Sequence, residues 1–245
     1  MRDRIRGARR WLVLTGAGIS AESGVPTFRG AGGLWEGSRP EELASPEGFR
    51  ADPARVWRWY RWRRELIRGV EPNEGHRAIA RLERCVPELC LATQNVDGLH
   101  ERAGSRNLLE LHGNLLRSHC LEGCSAETTE DPEAAVPLCR CGAPLRPSVV
   151  WFGETLDEQV LREAFARCER CDVCLIVGTS GVVYPAAALP GIARQAGALL
   201  IEVNPEETPL TGLCDRSIRG PAAQQLPAWM RECGWEEEPT PPAGV

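Results

Sequence analysis

A glycine pair behind a short apolar run, a histidine before a glycine, two cysteine pairs and a tyrosine three residues before an arginine are the features of this chain that can carry chemistry. Residues 11–14 are Trp-Leu-Val-Leu, and the run breaks at Gly16 and Gly18, which predicts a buried strand entering a tight turn. Glycine has no Cβ, so backbone at Gly16 and Gly18 can approach a phosphate closely. The residues after Gly18 are suited to opening a helix, whose free N–H groups and dipole favour an anion. The spacing is G-x-G-x5-G rather than G-x-G-x-x-G, so a plain turn between packed elements is the alternative.

Cys120 and Cys124, then Cys139 and Cys141, give C-x3-C followed by C-x-C across a polar segment, the composition of a closed, structural tetrahedral zinc site. His119 is an alternative fourth ligand, and unliganded thiols are the other reading. Cys168, Cys171 and Cys174 have no fourth cysteine close in sequence and fall on a helix end and an apolar strand, so buried thiols are expected there rather than an iron–sulfur cluster. Of the four histidines, His112 ends a strand before Gly113 and is the candidate general base, whereas His100 is expected to form hydrogen bonds in the core.

These residues need elements to hold them. Apolar runs at residues 89–93, 108–111, 149–152, 173–177 and 199–203 join residues 11–14 as predicted strands. Helical patterns cover residues 53–68, 74–84, 99–103, 155–167, 190–197 and 222–232. Strands alternating with helices, several of them wholly apolar, predict an α/β fold with a parallel sheet covered on both faces. Such sheets bind ligands at the C-terminal ends of their strands, where the polar and glycine residues of this chain gather. Residues 29–45 are expected to form a long lid-like loop, and residues 236–245 a disordered acidic tail.

The composition narrows the classes of function. The chain has 245 residues, 42% hydrophobic and 26% charged, with a net charge of −5, which makes no general case for nucleic acid or membrane as partner. All 29 basic residues other than histidine are arginines. A lysine-free chain has no Walker-type phosphate loop and no Schiff-base lysine. Eleven cysteines without a secretory leader predict thiols or metal in a cytoplasmic protein rather than disulfides.

In order along the chain, Gly16-Ala17-Gly18-Ile19-Ser20, Phe28-Arg29, Thr93-Gln94-Asn95-Val96-Asp97, His112-Gly113, the two cysteine pairs, Phe152-Gly153-Glu154, Gly178-Thr179-Ser180 and Asn204 resemble the sirtuins, NAD-dependent protein-lysine deacylases. The resemblance runs from about Trp11 to Trp229. It implies a Rossmann-like parallel-sheet domain (residues 1–30, 75–116 and 148–235) with a smaller inserted helical and zinc-binding domain (residues 31–74 and 117–147).

It also implies cofactor contacts from Gly16, Ala17, Gly18, Ile19, Ala21, Phe28, Arg29, Gln94, Asn95, Val96, Asp97, Gly178, Thr179, Ser180, Asn204, Pro205, Glu206 and Ala222. The glycine loop would pack on the diphosphate, Phe28 and Arg29 would sit on the moving loop, and Asp97 would hold the nicotinamide carboxamide. His112 would be the base, with Asn95 beside it as a second catalytic residue, and Val150, Phe152 and Gly153 would flank an extended acylated-lysine substrate. The implied reaction releases nicotinamide and O-acyl-ADP-ribose. ADP-ribosyl transfer and non-catalytic nucleotide sensing are the alternatives. A monomer with one structural zinc, and without nucleic-acid or membrane partners, is expected.

Within the predicted helix over residues 53–68, Tyr60 and Arg63 stand at i and i+3, on one face. A phenol beside a guanidinium can grip a carboxylate. The pair resembles the Tyr-x-x-Arg of sirtuins that remove malonyl, succinyl and glutaryl groups, and Thr27 fits the same class. On the residues alone, a solvated face of Arg55, Arg58, Arg61, Arg64 and Arg68, or an Arg/Trp nucleic-acid surface, is the competing reading.

Overall fold

Trp11, Leu12, Val13 and Leu14 are all buried, so the first strand needs a neighbour on each edge and cover on each face. The computed structural model, which describes residues 1–27, 40–124, 131 and 133–235, supplies both. Strands β1 (Arg10–Thr15), β2 (Glu88–Thr93), β3 (Leu108–Glu110), β6 (Val173–Val177), β7 (Leu199–Asn204) and β8 (Arg216–Arg219) form one sheet in the order β3-β2-β1-β6-β7-β8. Every pairing in it is parallel. Strands β4 (Gly113–Cys120) and β5 (Leu145–Val149) form a separate antiparallel pair.

The described helices are α1 (Arg2–Gly7), α2 (Pro40–Leu43), α3 (Pro46–Ala51), α4 (Pro53–Arg68), α5 (Glu74–Cys85), α6 (Leu99–Arg102), α7 (Glu158–Cys168), α8 (Leu189–Gln195) and α9 (Ala222–Glu232). Alternation along β1 divides the core. Trp11 and Val13 pack with Ile79 and Leu82 of α5 and Leu226 and Trp229 of α9. Leu12 and Leu14 pack with Ala164 and Cys168 of α7 and Leu189 and Ala193 of α8. Each fully buried large side chain contributes roughly 1.5–3 kcal/mol, and both faces of the sheet carry a row of them. A third cluster joins Phe49, Trp57, Tyr60 and Ile67 of α3 and α4 to Leu115, Cys120, Cys139, Leu145 and Trp151.

The helix over residues 53–68 begins where Asp52 accepts from the Arg55 N–H with Pro53 in its first turn. The expected strand over 149–152 is displaced. Pairing ends at Val149, Trp151 is buried, and Phe152 and Gly153 are exposed. Pro147 pairs with Ser118 where the β4–β5 register shifts. At such an irregularity a missing N–H is tolerated.

The solvated arginine face needs a second correction, because Arg64 is buried. It donates to the Leu115 carbonyl at 2.7 Å and to the Arg117 carbonyl and Ser118 hydroxyl at 2.9 Å, tying α4 to the bulged strand. The thiols of Cys168, Cys171 and Cys174 are buried, as expected of core residues. Most of the expected lid, including Phe28 and Arg29, and the tail at 236–245 lie outside the described residues. Among the described residues no helix is long and apolar enough to cross a membrane.

Candidate active site

The strand order reverses between β1 and β6, so the loops leaving these two strands part and open a crevice at their C-terminal ends. Three glycines let the loops cross. Gly16 N–H donates to the Val177 carbonyl at 3.0 Å and Gly18 N–H to the Gly178 carbonyl at 2.8 Å. A Cβ on Gly16 or Gly18 would stand 2.8 Å from Gly178 backbone atoms, and one on Gly178 would stand 2.4 Å from the Ile19 nitrogen. The glycines therefore serve loop-to-loop contact as well as any approach to phosphate. After Gly16 the chain enters a 3-10 helix, Ala17–Ser23, instead of an α-helix.

Polar side chains close this floor. Gln94 Nε2 donates to Thr179 Oγ1 at 2.8 Å, and Asn204 Nδ2 to the Thr179 carbonyl at 2.9 Å, joining the ends of β2, β6 and β7. Asn95 Nδ2 reaches the Gly16 carbonyl and Ser20 Oγ, both at 3.2 Å. Ser20 Oγ donates to Asp97 Oδ2 at 2.7 Å, and the Leu99 N–H holds Asp97 Oδ1 at 3.0 Å. Burial raises the Asp97 carboxyl, and the Leu99 and Ser20 bonds oppose that rise.

Behind Ser20 stands His76, at the third position of α5. Asn73 caps that helix through Gly75 N–H, and its own N–H returns to His76 Nδ1 at 3.3 Å. A backbone N–H can only donate, so Nδ1 accepts. Burial lowers His76 to about 4, so the ring is neutral at pH 7 and its proton sits on Nε2, 3.2 Å from Ser20 Oγ. His100 lies edge-on to His76, ring centres 4.8 Å apart, and bonds to Thr15 Oγ1 at 2.9 Å in the core.

His112 leaves β3 at the crevice. Its Nδ1 is 2.9 Å from the Gln94 carbonyl, which can only accept, so Nδ1 carries the proton and Nε2 keeps a free lone pair. Burial lowers its pKa below the ordinary value, against the pull of the Gln94 carbonyl, which leaves the ring a neutral base at pH 7. Val150 N–H donates to the His112 carbonyl at 2.9 Å, so the segment 150–154 starts beside His112.

Tyr60 and Arg63 are both buried. The Arg63 guanidinium lies 4.8 Å from the Trp59 ring centre and 5.8 Å from that of Tyr60. Burial pushes the Tyr60 phenol up to about 12 and the Arg63 guanidinium down, and Arg63 feels the charge of Asp97. The Tyr60 oxygen accepts from Trp151 Nε1 at 2.9 Å.

On the far side of β4 the four sulfurs of Cys120, Cys124, Cys139 and Cys141 all lie within 4.8 Å of one another, with Cys120–Cys141 at 3.5 Å and Cys124–Cys139 at 3.3 Å. Tetrahedral zinc with Zn–S near 2.3 Å needs sulfurs about 3.8 Å apart, so this cluster could hold a zinc ion. The backbone N–H of Cys124 draws the Cys120 thiol down to about 7, toward the thiolate a cation binds. Among the described residues the cluster takes in these four cysteines and not His119, whose Nδ1 faces Ser148 Oγ at 3.0 Å.

The sequence pattern of the Sir2 family matches residues 16–185, the glycine loop, His112 and the cysteine cluster included. The chain belongs to the Sir2 family. NAD-dependent protein deacylase 2 of Pyrobaculum aerophilum is 53% identical over 232 residues, covering 94% of this chain and 93% of that protein. NAD-dependent protein deacylase 1 of Pseudomonas aeruginosa is 49% identical over 238 residues, 93% and 95% of the two chains. Among solved structures, a mutant Sir2 homologue in complex with ADP-ribose superposes with a TM-score of 0.89 at 48% identity, covering 95% of each chain. A Sir2 homologue–NAD complex superposes at 0.86 with 49% identity, covering 95% of this chain and 92% of that one.

In this Sir2-family chain the glycine loop, Gln94, Asn95, Asp97, His112, Thr179 and Asn204 meet in one hydrogen-bonded crevice. Ala21, Ser180, Pro205 and Glu206 are exposed, and Ala222 is buried at the start of α9. That helix joins the crevice through Glu22, which accepts from the Ala223 N–H at 2.7 Å. Tyr60 and Arg63 lie outside that network, Tyr60 bonded to Trp151 and Arg63 over the Trp59 ring. Sequence reasoning missed Ser20, Asn73 and His76 as one linked unit. The Asn-x-x-His spacing of a capping box was the available signal.

Proposed function

We propose that this chain is an NAD-dependent protein-lysine deacylase that prefers acidic acyl groups and also accepts acetyl-lysine. The observation that carries it is the convergence of the glycine crossing, Gln94, Asn95, Asp97 and His112 on one crevice, in a chain about half identical to proteins named NAD-dependent protein deacylase. Gln94, Asn95 and Asp97 bind and orient the nicotinamide and ribose end, Asp97 by accepting amide N–H bonds. Thr179, Ser180, Asn204 and Ala222 bind the adenosine end. The dinucleotide would supply the nicotinamide–ribose bond that breaks and the ribose hydroxyl that takes the acyl group. His112 Nε2 would take the proton from that hydroxyl, a role its tautomer and lowered pKa suit.

Val150, Phe152 and Gly153 would line the substrate backbone as an added strand. Tyr60 and Arg63 would bind an acyl carboxylate, and the four cysteines one structural zinc. The segments 31–74 and 117–147 would form the smaller helical and zinc-binding domain, and the enzyme would work as a monomer on acylated lysines of other proteins.

The test is nicotinamide release from NAD with matched acetyl-, malonyl- and succinyl-lysine peptides. Acyl-dependent release that vanishes in His112→Tyr while NAD still binds is the expected result. Release without acyl transfer would favour ADP-ribosyl transfer, and equal rates on all three peptides, unchanged by Arg63→Met, would remove the acidic preference.

A further inference from the structure

The Tyr60 oxygen accepts a hydrogen bond from an indole that is itself fixed on several sides. An indole N–H can only donate, so the 2.9 Å contact from Trp151 Nε1 occupies a lone pair of the phenol and turns the phenol's own proton elsewhere. Among the described residues that proton finds no acceptor. A buried hydroxyl left undonated is destabilising, and an incoming oxygen beside Arg63 would satisfy it. Burial keeps the phenol protonated up to about 12, so it stays a donor at any working pH.

The indole cannot turn away easily. Arg146 stacks on it with Cζ 3.4 Å from the ring centre, and the Phe49 ring packs against it at 5.2 Å. Glu154 receives both Arg146 Nη atoms, at 2.5 and 2.8 Å, and the Trp151 backbone N–H at 2.8 Å. The same residues shape the segment that carries Phe152 and Gly153, so the acyl site and the substrate-flanking segment of the proposed function would share one support.

We propose that Trp151 is a specificity-determining positioning residue, aiming the Tyr60 hydroxyl at the carboxylate of a dicarboxylic acyl group while Arg63 supplies the charge. The proposal rests on the acidic-acyl reading given above. An acetyl group has no distal acceptor for that hydroxyl, so the aim of the phenol matters for one substrate class and not the other.

The experiment compares kcat/KM for succinyl- and acetyl-lysine on one peptide backbone in the wild type, Trp151→Phe, Tyr60→Phe and the double variant. Each ratio comes from a single protein preparation, so the active fraction cancels. Trp151→Phe keeps the stacking and removes the N–H, and is expected to lower the succinyl-to-acetyl ratio about tenfold, the size of one hydrogen bond to a charged network. The double variant is expected to match Tyr60→Phe alone, because the indole acts through the phenol. Losses that multiply in the double variant, or an unchanged ratio in Trp151→Phe, overturn the proposal. A wild type equally fast on both peptides overturns the acidic-acyl reading and the proposal together. A preference lost in Arg63→Met but intact in Trp151→Phe overturns the proposal alone.

Discussion

Ser20 gives its hydroxyl proton to Asp97 across 2.7 Å because two other donors, Asn95 Nδ2 and His76 Nε2, already point at its oxygen from 3.2 Å. The direction of that one proton depends on a cap at the start of α5, some fifty residues away in sequence. The bond favours the charged form of Asp97, so its loss raises a carboxyl that burial has already raised. Ser20→Ala is therefore expected to move the acid limb of NAD affinity upward by about 1–2 pH units, taking about 1.5–3 kcal/mol for a charge-assisted bond. Calorimetric titration with NAD between pH 5 and 8 reads the midpoint, and an unmoved midpoint contradicts the arrangement.

His76 makes stability depend on pH. Its ring protonates near 6.5 when unfolded and near 4 when folded, so the unfolded chain binds the proton first. The stability it provides is complete above pH 6.5 and is lost as the pH falls toward 4, by about 3 kcal/mol in all. His76→Gln, lacking that proton, should flatten this part of the curve in urea unfolding at stepped pH.

Gly178 and Gly197 separate two reasons for a glycine. Both hold positive φ, +59° and +89°, but a Cβ on Gly178 meets the Ile19 nitrogen at 2.4 Å, whereas one on Gly197 meets nothing within 4 Å. Gly197→Ala should cost about 1 kcal/mol for its backbone conformation alone. Gly178→Ala should cost at least about twice that and weaken NAD binding at least tenfold by parting the crossed loops. Thermal melts with and without NAD distinguish the two.

The cysteine cluster predicts one bound zinc per chain by elemental analysis, falling to a small fraction in Cys139→Ser with a lowered melting temperature. Cys141 is exposed, so a strong chelator should reach the ion without prior unfolding. Zinc content unaffected by the substitution would mean that the ion lies elsewhere.

The parallel sheet was legible because its strands are buried on both faces and read as unbroken apolar runs, as Val173 to Val177 show. Helix α4 was legible from Pro53 and the stripe Val56, Tyr60, Ile67. Strands β4 and β5 were not, because their stabilisation comes from a cysteine cluster and from Arg64 reaching backbone carbonyls, and neither leaves a period in the sequence. Strand β8 alternates half-buried and exposed over only four residues, too short a stretch to stand out.

The site divides in the same way. Gly16, Gly18 and His112 announce themselves by position at strand ends. Ser20 and His76, which hold Asp97, are common residue types whose linkage lies in contacts made across the fold. Trp151 is the clearest case, since nothing in its neighbours Val150 and Phe152 announces a bond to a helix 91 positions earlier.

The central place of β1 bears on how the chain is made. Trp11 pairs with Leu89 on one edge and with Val173 on the other. A ribosome adding 5–20 residues per second needs roughly 10–30 s to cover the distance from the first of these strands to the last. Throughout that interval an apolar strand stands with an open edge, which invites pairing with other chains. That edge is covered only once residues 173–177 have emerged and paired with β1.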